Sequence, residues 1–361
     1  MSLVHDEQQQ AIAEQARRAL EAIHDDRVLL ALLEAPGRHF EPFWQTARQQ
    51  GWCGIAIPEA QGGLGLGLVE AGLVAHQCGR NLSGAPFLTS SLGVARALVA
   101  LGDDDGWLAR LADGAAIGAV AFAEGADVLP SASCVRFADG RLDGTKPAVS
   151  GGLAADVAVV LADGGGEPVL ALAALAGVER SAAMTYDNTR VAADLRFAAT
   201  PARELARGQA ALAAARDVLA AQAVVTAHEQ AGGAEALMER ARDYAVTRRA
   251  FGQPIGAFQS VKHRIAELYV LVELARANAV HAAASDGSPG FLRDAAAARL
   301  SASEAYDTAA RDAVQIHGGI GVTWESGLHL HMRRARTLAN EQGGALFWED
   351  LLVNELEGAR P

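Results

Sequence analysis

Three long alanine-rich stretches with helical periodicity restrict this chain's fold more than any other feature. The first runs from Gln209 to Arg249 with only Gly232-Gly233 interrupting it, the second from Phe258 to about Ala284, and the third from Leu292 to Ile316. Within the second, Val261, Ile265, Leu268 and Val272 recur on one helical face. Alanine is the strongest helix former, and its small side chain lets helix axes approach closely. These helices, with a fourth near the C-terminus, predict a four-helix bundle over residues 203–361.

The preceding texture is different. From about residue 116, short apolar runs (Ile117–Ala123, Cys134–Phe137, Val157–Leu161, Val169–Leu172, Val191–Phe197) alternate with turn signals such as Asp143-Gly144 and Asp163-Gly164-Gly165-Gly166. This pattern predicts a compact antiparallel β-domain over residues 116–202. Residues 1–115 read as mostly helical, punctuated by Pro36, Pro42, Pro58 and Pro86. The glycine-rich segment Ile57–Gly65 must be a loop, because each glycine costs a helix about 1 kcal/mol.

A formal charge of −12 argues against a nucleic-acid partner, which favours a basic face. Cys53, Cys78 and Cys134 are widely spaced with no C-x-x-C pair, so neither a disulfide framework nor a metal site is expected. No basic region leads into an apolar core at the N-terminus, and no apolar run reaches the ~18–20 uncharged residues of a membrane span. The expectation is a cytoplasmic protein that binds no membrane.

Two segments carry chemistry. In Arg248-Arg249-Ala250-Phe251-Gly252-Gln253-Pro254-Ile255-Gly256-Ala257-Phe258-Gln259, a helix ends at Gly252 and another begins near Phe258. A plain helix–turn–helix corner explains Gly252 and Pro254, but not the arginines and Gln259 crowded around it. A fresh helix start offers unpaired N–H groups to a phosphate, and Arg248 could fork onto a pyrophosphate. In Gln315-Ile316-His317-Gly318-Gly319-Ile320-Gly321, glycines after a long helix allow close approach to another body, or simply cap the helix.

Together these segments resemble the paired signatures of acyl-CoA dehydrogenases, R-x-x-F-G-x-P-I-x-x-F-Q and Q-x-x-G-G-x-G. Pro58-Glu59 with Gly62-Gly63-Leu64-Gly65, Cys78-Gly79-Arg80, Gly144-Thr145-Lys146 and Asp187-Asn188-Thr189-Arg190 resemble further segments of that family. The resemblance spans nearly the whole chain and matches the helix–β–helix order. It implies FAD held across a subunit interface, with Arg248, Phe251, Gln259, Gln315, Gly318 and Gly319 seating the ADP part. It also implies α,β-dehydrogenation of an acyl-CoA, as in fatty acid or steroid side-chain degradation, with electrons passing to an electron-transfer flavoprotein. The implied assembly is a homodimer or homotetramer, or a heterotetramer with a second family member. No G-x-G-x-x-G follows a strand, so a Rossmann site is not expected.

The resemblance breaks on the substrate side. The family's general base is a carboxylate, and its two alternative positions fall on Gln342 and Gln222, which cannot accept the proton. Glu341, next to the first, and Glu229, seven residues after the second, are the candidate substitutes. The segments beside flavin and thioester are replaced by Ala121-Phe122-Ala123-Glu124-Gly125 and Pro147-Ala148-Val149-Ser150. Three readings stay open: a dehydrogenase with a relocated base, a non-catalytic subunit completing a partner's FAD site, and a flavin-free CoA-thioester binder. His329-x-His331 reads as surface histidines and Arg333-Arg334-Ala335-Arg336 as structural.

Overall fold

The computed structural model describes residues 5–35, 37–102 and 105–358. Pro36 and the first residues of the expected leaderless N-terminus lie outside them. The N-terminal part comprises α1 (Glu7–Ile23), α2 (Asp26–Glu34), α3 (Glu41–Gln49), α4 (Leu68–Arg80), a π-helical turn (Leu88–Val94), α5 (Ala95–Leu101) and α6 (Trp107–Ala112). Asp6 and Gln9 start α1 with a reciprocal capping box. In the glycine-rich loop only glycine fits at 63, where a Cβ would lie 2.1 Å from the Ile57 carbonyl oxygen.

Eight strands follow: β1 (Gly118–Ala121), β2 (Arg136–Ala138), β3 (Arg141–Ser150), β4 (Val157–Asp163), β5 (Pro168–Ala174), β6 (Glu179–Ala183), β7 (Ala192–Pro201) and β8 (Arg203–Arg207). Their order is β6-β7-β3-β2-β4-β5-β8, with β1 also on β4. Pairing is antiparallel except that β1 and β2 run parallel to β4. Alternate residues of β4 serve two cores: Ala158, Val160 and Ala162 join the larger, while Val157, Val159 and Leu161 join one shared with α5 and α6. The sheet extends past the boundary expected at 203, because β8 pairs with β5, so the helical module begins at Gln209.

That module holds α7 (Gln209–Thr247), a short hairpin of β9 (Arg249–Ala250) and β10 (Gln253–Pro254), α8 (Gln259–Ala284), α9 (Phe291–His317), α10 (Leu328–Asn340) and α11 (Ala345–Gly358). The first four helices form the bundle, and α11 packs on α9. By length and composition alone α7 could cross a membrane, but residues 218–234 are all buried within the protein.

Gly232-Gly233 does not interrupt α7. These glycines are contact points, where a Cβ on Gly232 would lie 1.9 Å from the His76 carbonyl oxygen and one on Gly233 2.3 Å from the Tyr306 ring. On α4, Gly79 likewise sits where a Cβ would come 1.8 Å from the Glu229 carbonyl oxygen. Backbone-to-backbone contact of α4 and α7 outweighs the local helix penalty of glycine.

Candidate functional site

A cavity of about 1060 Å³ opens where the β1 end, the β3 end, α7 and the α10–α11 connection meet. Its walls include both segments that depart from the resemblance, around Phe122 and from Pro147 to Ser150. A buried knot pins the first. Lys146 donates to the Phe122 carbonyl at 2.9 Å and pairs with Glu124, which also accepts from Ser133 and from the Cys134 amide. Burial alone would raise the Glu124 carboxyl, but these donors outweigh it and hold it at about 2; burial pulls Lys146 below its ordinary value.

The polar wall is a network of charges. Arg190 donates to Glu341 through Nη2 at 2.9 Å and Nε at 3.2 Å, and to Glu229 at 3.1 Å. Ser150 donates to Glu341 Oε1 at 2.7 Å. Arg334 donates to Glu229 at 2.8 Å, to Asp187 at 2.5 Å, and to the Leu82 and Ser83 carbonyls, both at 2.8 Å. Buried Arg299 reaches the Leu338 carbonyl and, at 2.8 Å, that of Glu341. Burial pushes the Glu229 carboxyl above its ordinary value against the pull of Arg190 and Arg334. Asp187 would be raised the same way, but Arg334 and Thr189 bring it below. The Asp187–Arg190 turn and Arg334 are thus the structural centre of the molecule, a role that Arg334's place in an arginine-rich segment only hinted at.

The candidate base positions divide. Gln222, Gln342 and Glu341 all reach the cavity, whereas Glu229 stands behind Arg190, 1 % exposed and held by two arginines. Three donors occupy the Glu341 carboxylate. Gln342 adopts φ +56° and accepts from Thr226 Oγ1 at 3.0 Å. Gln222 makes no side-chain hydrogen bond among the described residues.

The other candidate residues gather far away, at one end of the bundle. Stacked rings of Tyr244 and His317, 4.2 Å apart, join the ends of α7 and α9, and Arg264 pairs with Asp312 to tie in α8. Arg248 caps α7, and its exposed guanidinium has no partner among the described residues. Phe251, at φ +51°, is 95 % exposed beside Phe258. Exposed Gln259 opens α8, whose start has no side-chain cap. Gln315 is exposed in the last turn of α9, and open space surrounds Gly318 and Gly319. A free arginine, an uncapped helix start and bare glycines form a seat suited to a phosphate-bearing group.

The histidine pair is corrected in part. His329 stacks on Trp324, but His331 is buried and bonded to the Tyr306 hydroxyl at 2.8 Å, and burial drives it well below its ordinary value. Its position on the inner face of α10 could be read only once the bundle was assembled.

Residues 6–115 match the family described as acyl-CoA dehydrogenase, N-terminal domain, and residues 210–344 match acyl-CoA dehydrogenase, C-terminal domain. The chain is 34 % identical over 303 residues to acyl-CoA dehydrogenase IpdE2 of Mycobacterium tuberculosis, covering 82 % of this chain and 80 % of that protein. Over 303 residues it is 33 % identical to acyl-CoA dehydrogenase FadE34 of the same organism, covering 82 % of this chain but 40 % of FadE34. Among solved structures, a chain of the ChsE4-ChsE5 complex from Mycobacterium tuberculosis superposes with TM-score 0.90 at 26 % identity over 100 % of both chains. The Tcur3481-Tcur3483 steroid ACAD G363A variant gives TM-score 0.88 at 27 % identity, over 98 % of this chain and 99 % of that one. This chain belongs to the acyl-CoA dehydrogenase family of FAD-dependent enzymes.

Proposed function

We propose that this chain is the non-catalytic subunit of a heteromeric acyl-CoA dehydrogenase, and that its bundle end supplies the ADP-side half of an FAD site. The partner's β-domain seats the flavin ring and supplies the general base. The observation that carries this reading is the cavity wall: both base positions are amides, and the one carboxylate present is tied to Arg190 and Ser150. Distance supports a cofactor shared between chains, in a homomer as in a heteromer. Gln222 and Arg248 stand 26 residues apart on α7, about 39 Å at the helical rise, farther than one FAD can reach.

The bundle end fits FAD: Arg248 and the α8 start would hold the pyrophosphate, and Gly318-Gly319 would lie against the adenylate. When bound, FAD supplies the hydride acceptor; this chain's residues bind and orient its ADP part. Electrons leave to an electron-transfer flavoprotein, the substrate is a fatty or steroid side-chain acyl-CoA, and the compartment is the cytoplasm. A homomeric enzyme using Glu341 is the second reading, favoured by that carboxylate's place on the cavity wall.

Counting flavin per chain tests the choice. The isolated chain is expected to carry little FAD and the co-expressed pair one FAD per heterodimer; stoichiometric FAD in the isolated chain overturns the heteromeric reading. Arg248→Ala is expected to weaken FAD retention by the pair about 10- to 100-fold, the worth of a charge-assisted contact, and unchanged retention removes the ADP-side assignment.

A further inference from the structure

The last turn of α7 carries Arg248 and has little to hold it. Arg242, Asp243, Val246 and Thr247 are exposed, and only Tyr244 and Ala245 pack against the protein. Helix ends of this kind fray. The Arg248 amide donates to the Tyr244 carbonyl at 2.8 Å, and the Ile255 amide folds the hairpin back onto the Arg248 carbonyl, also at 2.8 Å. Tyr244 is therefore the foothold for Arg248 and for the chain just beyond it.

Across from it, α9 ends at His317, and Gly318 follows at φ +62°. His317 Nδ1 donates to the Ala313 carbonyl at 2.7 Å, which fixes the ring against its own helix. The 3₁₀ turn Gly318–Val322 doubles back closely: a Cβ on Gly321 would lie 2.6 Å from the Val314 carbonyl oxygen and 3.1 Å from His317 Cβ. The Tyr244 and His317 rings stack with centroids 4.2 Å apart and planes at 23°. One ring pair thus sets the end of α7 against the end of α9.

We propose that the Tyr244–His317 stack positions the ADP-side seat, holding Arg248 and Gly318-Gly319 at the separation at which one dinucleotide meets both. Neither ring touches the cofactor. Both are positioning residues that act through Arg248 and the glycines by keeping the seat preorganised. The inference rests on the ADP-side assignment and holds in a homomer as in a heteromer.

The test measures FAD affinity of the flavin-loaded assembly, by the rise in flavin fluorescence on release, beside the melting temperature of the flavin-free chain. His317→Leu and Tyr244→Leu should each weaken FAD about 3- to 10-fold, the worth of one aromatic pair. The double variant should be no weaker than either single one, because both remove the same contact. His317→Phe, which restores a ring, should bind FAD within twofold of the natural chain. His329→Leu removes the comparable stack on Trp324, 4.4 Å apart at the start of α10, and should leave FAD affinity unchanged. A melting temperature that falls while FAD affinity holds makes the stack merely structural and overturns the inference. So do additive losses in the double variant, no rescue by phenylalanine, or an equal loss in His329→Leu. Weaker retention in Arg248→Ala with none in His317→Leu removes this inference alone, whereas unchanged retention in Arg248→Ala removes the seat and the inference with it.

Discussion

Replacing Glu341 by glutamine separates a structural carboxylate from a catalytic one. The side chain is 11 % exposed and accepts from Arg190 twice and from Ser150 once. Glutamine keeps one acceptor but turns an NH₂ donor toward a guanidinium, so at least one contact is lost. Removing one partner of a buried ion pair costs about 3–5 kcal/mol. Here Glu229 still balances Arg190 from 3.1 Å, and the cavity admits water to one side, which brings the expected cost to about 2 kcal/mol. Spread over an unfolding entropy of about 2.1 cal/mol/K per residue, that lowers the melting temperature by about 3 °C. Turnover by the co-expressed pair, followed by acyl-CoA-dependent dye reduction, should stay within twofold. A general base would instead contribute about 10²–10⁴-fold. Turnover falling a hundredfold with an unchanged melting temperature refutes the structural assignment and makes Glu341 the base.

Other outcomes follow from the packing and the charges. Gly79→Ala should abolish cooperative thermal unfolding or soluble expression, because its Cβ would sit 1.8 Å from a backbone oxygen of α7 and neither helix can yield locally. Glu124, held at about 2 against an ordinary 4.5, contributes stability that is complete above 4.5 and lost as pH falls through about 2. Glu124→Gln should therefore lower stability at neutral pH and flatten the acid limb of a stability–pH curve in that window; an unchanged slope contradicts the Lys146 pairing. Gln342→Glu in the isolated chain should give no dehydrogenation, since a base alone does not supply the flavin ring; turnover there would favour the homomeric reading.

What the sequence disclosed depended on whether the signal was local. The bundle helices were legible to within about two residues, because alanine density and apolar periodicity act along the chain. Strands β3, β6 and β8 escaped notice for the opposite reason. Glu179–Ala183 has no buried residue, and Arg141–Ser150 buries only Leu142, Lys146 and Val149 along ten residues. Gly232-Gly233 looked like a break because its compensation, contact with α4 and Tyr306, lies far away in sequence. The bundle-end segments were visible as motifs, and the structure brings them together. The pairing of Arg190 with both Glu229 and Glu341 had no sequence signature, because its members come from three separate segments.

On the heteromeric reading, that charge network explains how the fold stands without a working base. Arg334 binds carbonyls that follow α4 and a carboxylate from the β-region turn, while Glu229 from α7 receives both Arg334 and Arg190. The N-terminal helices, the sheet and the bundle are thus joined through groups that are mutually paired and buried, where losing any one member leaves another charge stranded. Gln222 and Gln342 stand outside this joint. Among the described residues the Gln222 side chain makes no hydrogen bond, and that of Gln342 bonds to Thr226 alone. On that reading, amides at these two positions remove proton abstraction without loosening the architecture. At the bundle end Arg248, Phe251, Gln259 and Gln315 are exposed, and on the heteromeric reading the surface they form is kept for another body to occupy.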